Sequence, residues 1–394
     1  MIQSDPFGFD APVDRREVPA LKVHPMMLGA DGEGLFPAGV ADMDFRAPPC
    51  VLEAVQKRFA HGVFGYETIQ PGLIPALTGW MERRHGWQID RNHILRAPNV
   101  LNALAMAVNL FSDPGGKVIV QPPVFFDFFD ILKENNREAV LNPLVLQAGR
   151  YEMDFEDLER KAADPATRLM LLCNPHNPVG RVWREEELRR LGEICLQHGV
   201  LVVSDEIHGD LAFDGPRHMP FAALGPEHAA NSVTCLSPAK SFNIAACCAA
   251  FSVVPDEGRR VALLEANSRL TINKNNAFAN VAMEAAYSGG AAWLEAALGY
   301  IQANAALMQH RLEKMPGVSL IPPEGTFLMW VDFRALGLEP AELTAFLRQK
   351  AGWGVTRGNS FGEEGRGFAR VNIACRRAIL KTALDRLEAA LSAM

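Results

Sequence analysis

The sequence predicts an α/β protein: a large domain on a mostly parallel sheet, with a smaller α+β domain beside it. Two observations point there. Between about residues 93 and 255, short apolar runs alternate with amphipathic stretches of helical length. After residue 285 the alternation gives way to one long helical pattern, then short strands and a closing helix. The large domain is therefore drawn at 47–284, and the smaller one at 285–394 joined by the N-terminal segment 1–46.

The strand candidates of the large domain are KVIVQ (117–121), RLMLLC (168–173), VLVVSDE (200–206), SVTCL (232–236) and CAAFSVV (248–254). These runs lack the apolar–polar alternation of a half-solvated strand, so they predict strands covered by helices on both faces. Val100–Phe111 and Glu185–His198 supply two such helices. In the smaller domain the pattern predicts a helix over 291–315, strands at 318–321 and 326–333, and a helix near 340–350. A strand at 368–374 and a terminal helix complete it.

Composition narrows the class of function. With 394 residues, 48% of them apolar and 22% charged, the chain can bury a substantial core in two domains. Its net charge of −7 disfavours nucleic acid and anionic membrane surfaces as partners. The longest uncharged run, Ala97–Ser112, holds three asparagines and is too short to span a bilayer. The N-terminal MIQSDPFGFDAPVDRRE shows no basic region followed by an apolar stretch, and the seven scattered cysteines form no CxxC. Both features predict a cytoplasmic protein with reduced thiols. Cys247 and Cys248 read as buried thiols in a strand. His208 and His218, with Asp210 and Asp214 between them, lie in a turn-rich stretch that predicts no metal site.

Sheets of this kind hold their ligands at the carboxyl ends of the strands. Three polar clusters follow three of the predicted strands: NPHNPVG (174–180), DEIHGD (205–210) and SPAK (237–240). Each has an ordinary reading alone. Asn-Pro pairs make rigid turns, an Asp at a strand end caps or turns the chain, and a lysine is usually solvated. Together they place an amide, a carboxylate and a lysine along one sheet edge. A pyridoxal 5′-phosphate (PLP) site calls for such a set: an amine for the Schiff base, a carboxylate for the pyridinium nitrogen, and donors for the phenolic oxygen and phosphate.

The segments VADMDF (40–45), GVFGYE (62–67), RRHGW (83–87), CNPHNPVGRVW (173–183), SDEIHGDL (204–211), AKSFNIAA (239–246), PEGTFLMW (323–330) and ARVNIAC (369–375) carry a closer likeness. The chain resembles the fold-type I PLP enzymes, and within them the MalY/PatB group of cystathionine β-lyase-like C–S lyases. The resemblance spans nearly the whole chain. It implies the PLP-dependent transferase fold, with a mostly parallel seven-stranded sheet. It also implies α,β-elimination from L-cystathionine or a related cysteine thioether, giving a thiol, pyruvate and ammonia. Lys240 is then the Schiff-base lysine and catalytic base, and Asp205 the partner of the pyridinium nitrogen. Asn177 donates to the phenolic oxygen, with His208 beside it. Ser237 contacts the phosphate, helped by backbone amides near Val100 and Leu101. Arg370 clamps the substrate α-carboxylate. Tyr66 reaches the phosphate of the neighbouring subunit's cofactor, which makes the active unit a homodimer.

Four departures from the group stand out. Phe125, in PPVFFDFF, occupies the ring-stacking position where a tyrosine is usual. Gly39 stands where a tryptophan precedes VADMDF, which predicts a different or bulkier sulfur substituent in the substrate. Cys248 replaces the phosphate-binding arginine of many transaminases, as suits the lyase group, and CPR reads CRR (375–377). Two other functions stay open at this point. One is transamination, or a specialised biosynthetic reaction on an S-conjugated amino acid. The other is a regulatory, protein-binding role of the kind known for MalY-type proteins.

Overall fold

The computed structural model describes residues 5–215, 217–272 and 274–394. Its large sheet has seven strands: β1 (Ile94–Ala97), β2 (Lys117–Val120), β3 (Glu138–Leu141), β4 (Thr167–Cys173), β5 (Leu201–Asp205), β6 (Ser232–Leu236) and β7 (Ala250–Val253). They lie in the order β1-β7-β6-β5-β4-β2-β3, and only β7 runs against the rest. Strands β5 and β6 are buried at every position, which is why they read as continuous apolar runs. Their carboxyl ends are level: Cys173 pairs with Asp205, and Asp205 with Cys235. The three predicted polar clusters therefore emerge side by side.

Helices of eight residues or more cover this sheet and its neighbours. They are α1 (Pro49–Ala60), α2 (Leu73–His85), α3 (Val100–Phe111), α4 (Asp127–Glu134), α5 (Phe155–Ala162), α6 (Glu185–His198), α7 (Glu257–Arg269), α8 (Ala277–Gly289), α9 (Ala291–Leu312) and α10 (Arg377–Ser392). Helix α3 starts at Val100 because the Asn99 side chain accepts the backbone N–H of Asn102. Helices α3 and α6 span the predicted residues.

A second, antiparallel sheet carries β8 (Ser319–Leu320), β9 (Leu328–Asp332), β10 (Thr356–Arg357) and β11 (Phe368–Asn372), in the order β8-β9-β11-β10. The N-terminal segment is sewn to it. Phe36–Pro37 pairs with Trp353–Gly354, and Asn372 donates to the carbonyls of Val40 and Asp42 at 2.7 and 2.6 Å. From there the segment reaches the Lys240 loop, where Asn243 bonds the backbone of Met43 and Phe45 at 2.8 to 3.0 Å. VADMDF is thus the strap between β11 and that loop.

One expectation fails here. Cys247 and Cys248 do not lie in a strand: β7 begins at Ala250, and both thiols are half-buried in the turn before it. The Ser237 hydroxyl, bonded to the Ala249 carbonyl at 2.8 Å, holds that turn against the loop.

Candidate active site

At the carboxyl end of β5, Asp205 is 4% exposed. One carboxylate oxygen accepts the Ile207 N–H at 3.1 Å, and no cation lies in ion-pair range among the described residues. Burial, with like charge from Glu206, pushes its carboxyl up to about 7; the Ile207 bond and Lys240 pull the other way. Glu206 beside it is differently served. It accepts from Ser204 and the Phe221 N–H and pairs with His218 at 3.0 Å, so it is a buried structural group.

Lys240 follows β6 in a tight turn. Its ammonium donates to the Ala41 carbonyl of the strap at 2.6 Å and has no carboxylate in ion-pair range among the described residues. Burial lowers its pKa, and the nearby Arg370 charge adds to the effect. Both causes favour the neutral amine over the ammonium, relative to a solvated lysine.

Arg370 lies on β11, 2% exposed. It donates to Asn177 Oδ1 at 3.1 Å, to the Gly39 carbonyl at 2.8 Å and to Thr356 Oγ1 at 3.3 Å. Its guanidinium covers the Phe361 ring at 4.9 Å. Its Nε has no partner, and no carboxylate pairs with it among the described residues. Burial brings its pKa down to about 10. A buried guanidinium without a counter-charge is costly unless a ligand supplies one. The bond from Arg370 also orients Asn177: with its oxygen engaged, the amide nitrogen is left to donate.

The remaining predicted residues divide. His208 is buried, with its ring beside Phe327 at 6.0 Å and its Nδ1 unpartnered. Burial and the charges of Lys240 and Arg370 push its pKa down to about 3, so its imidazole is neutral. Val100 and Leu101 open α3, where N–H groups have no partner within the helix. Phe125 packs on Phe126 and Phe128, with ring centroids 4.9 and 6.3 Å away. The Ser237 hydroxyl already donates its proton to Ala249. Tyr66 is fully exposed. A side chain at Gly39 would start in ordinary contact with Thr356 and the backbone of Gly354 and Val355.

Sequence reasoning missed the parts of the site that come from elsewhere in the chain. Asp210 accepts from Trp80 Nε1 at 2.9 Å and from Ser241 Oγ at 2.7 Å, and contacts His85 Nε2 at 2.9 Å. Arg84 lies 3.3 Å away. Burial raises the Asp210 pKa, but these donors and charges outweigh it and hold the carboxyl well below its usual range. Through Ser241 this cluster fixes the residue beside Lys240. RRHGW carries two members of it. PEGTF and GRVW are likewise structural: Glu324 receives Arg150 Nε, Arg181 Nε and the Val182 N–H, each at 2.9 Å.

The pattern of the class I and II aminotransferases covers residues 36–387. The chain belongs to that family. One member, cystathionine β-lyase PatB of Bacillus subtilis, is 45% identical over 91% of this chain and 92% of its own length. Cystalysin of Treponema denticola, solved with pyridoxal 5′-phosphate, superposes with a TM-score of 0.94 at 30% identity over 98% of this chain and 99% of its own. The PLP-bound C–S lyase of Staphylococcus hominis does so with a TM-score of 0.91 at 31% identity, covering 98% of each chain. This family member shares the whole architecture of both.

Proposed function

We propose that this protein is a PLP-dependent C–S β-lyase that cleaves L-cystathionine or a related cysteine thioether to a thiol, pyruvate and ammonia. One observation carries the reading: buried Asp205, buried Arg370 and half-buried Lys240 are ionisable groups that act on one another's charge, and none has an ion-pair partner among the described residues. The set matches PLP and its substrate in sign and in kind. Asp205 suits a pyridinium, Lys240 an aldehyde, and Arg370 a carboxylate. Asn177 offers an amide donor to the phenolic oxygen, and the opening turn of α3 offers N–H groups to the phosphate.

When bound, PLP supplies an electron sink that makes the substrate α-proton acidic. The protein's residues do the rest. Arg370 holds the α-carboxylate and fixes the substrate's orientation. Lys240, favoured as the free amine by burial, takes the α-proton at Nζ. Asp205 keeps its charge against the ring nitrogen, and that pairing brings its pKa back down. Neutral His208 lines the pocket without competing for the negative groups.

The reading extends to assembly and location. Tyr66, fully exposed on its own chain, is assigned to the cofactor phosphate of a partner in a homodimer. Residues 47–284 form the cofactor domain, with 1–46 and 285–394 as the smaller domain. Seven unpaired cysteines suit the cytoplasm.

The test is a reaction of the cofactor-loaded protein with L-cystathionine and no keto-acid acceptor. Thiol, pyruvate and ammonia in equal amounts, with the yellow cofactor absorbance recovered, is the expected result. A keto acid without thiol, and lasting loss of that absorbance, would make it a transaminase.

A further inference from the structure

The departure PPVFFDFF changes more than the ring-stacking position, for it also puts Asp127 at the first position of α4. The turn before it is tied to the site from two directions. Val124 N–H donates to the Phe361 carbonyl at 3.0 Å, and His176 Nε2 contacts the Pro123 carbonyl at 2.9 Å, one residue before Asn177. The Phe126 ring packs on Phe361 at 5.6 Å, and the Arg370 guanidinium covers that same Phe361 ring. Asp127 is half-buried, and its carboxylate takes no hydrogen bond and no ion pair among the described residues. Burial and Asp130 raise its pKa, while the charges of Arg370 and Lys240 lower it.

The lyase reading already accounts for the head of the substrate. Arg370 takes the α-carboxylate, and the α-amine goes to the cofactor. What remains for a further charge bordering the site to recognise is the sulfur substituent. We propose that Asp127 is a specificity-determining residue that selects cysteine thioethers carrying a cationic group on the sulfur substituent and disfavours anionic ones. The proposal rests on the lyase reading and deepens it. A carboxylate in a half-buried site discriminates by sign, because attraction to a cation and repulsion of an anion are both less screened there than in water.

The experiment compares S-(2-aminoethyl)-L-cysteine with the neutral, similarly sized S-propyl-L-cysteine and the anionic S-(2-carboxyethyl)-L-cysteine. Thiol release by the cofactor-loaded protein gives kcat/KM for each. Calorimetric binding of L-lysine and L-norleucine, which have no thiolate to lose, gives a second readout. The amine is expected to exceed the propyl compound by about tenfold in kcat/KM, with the carboxyethyl compound poorest. Lysine should likewise bind more tightly than norleucine. In Asp127→Asn both preferences should shrink to within about twofold. Preferences that are absent in the wild type, or that survive in Asp127→Asn, would overturn the proposal. Absence of thiol release from every thioether would sink the lyase reading, and the lysine-to-norleucine ratio would then still decide the role of Asp127.

Discussion

Asp205, at the end of β5, and Asp210, in the buried turn five residues on, meet opposite fates. Asp210 is surrounded by donors from Trp80, His85, Arg84 and Ser241, and its negative charge is fully served within the chain. Asp205 has one backbone N–H and, among the described residues, no cation in ion-pair range, although it is as deeply buried. A carboxylate left in that condition is kept where a ligand brings the missing charge. Asp210 is held by its neighbours, and the proposed function gives Asp205 a partner in the cofactor.

The largest effect that sharpens this contrast is on activity. Asp205→Asn should lower kcat/KM for cystathionine by about 10²–10⁴-fold, a range typical of losing a principal catalytic contribution. The cofactor-free variant should be no less stable than the wild type at pH 7, as urea titration would check. Asp210→Asn should do the reverse in kind. It strands buried donors and breaks a charged cluster, which should cost about 2–4 kcal/mol of stability by the same titration.

The two carboxylates also carry opposite pH signatures in the cofactor-free protein. The folded-state pKa of Asp205 is raised from 3.8 to about 7. The folded state therefore binds a proton that the unfolded chain has released, and stability falls as pH rises between about 4 and 7. Asp210 is depressed, so its contribution is present above about pH 4 and is lost as pH falls further. Stability curves of the wild type and Asp205→Asn should diverge in slope across pH 4–7, and those of the wild type and Asp210→Asn below it. The smallest expected effect is at Gly39. Gly39→Trp should reduce kcat/KM for bulky thioethers by a few-fold more than for S-methyl-L-cysteine. An unchanged ranking would mean that position 39 does not shape the pocket.

Much of this was legible in the sequence, for physical reasons that differ from residue to residue. Strands β4, β5 and β6 were readable because double-sided burial leaves uninterrupted apolar runs, and the polar residues ending them had to share an edge. Strands β1 and β3 were missed: β3 is a half-exposed edge, EAVL, with neither a long apolar run nor strict alternation. Asp210's partners lie at positions 80, 84, 85 and 241, and no spacing rule joins them. The Ala41 and Gly39 carbonyls that receive Lys240 and Arg370 are backbone groups, which leave no mark in a sequence. Cys247 and Cys248 misled because an apolar turn and an apolar strand read alike.

The most direct measurement of the central claim is chemical. The protein is loaded with pyridoxal phosphate and reduced with borohydride, which fixes the cofactor to the amine that holds it, and its peptides are mapped by mass spectrometry. The account predicts the phosphopyridoxyl group on Lys240 in preference to every other lysine, and no such preference when the site is unfolded by urea before loading. A label on another lysine of the folded protein, with Lys240 unmodified, would contradict it.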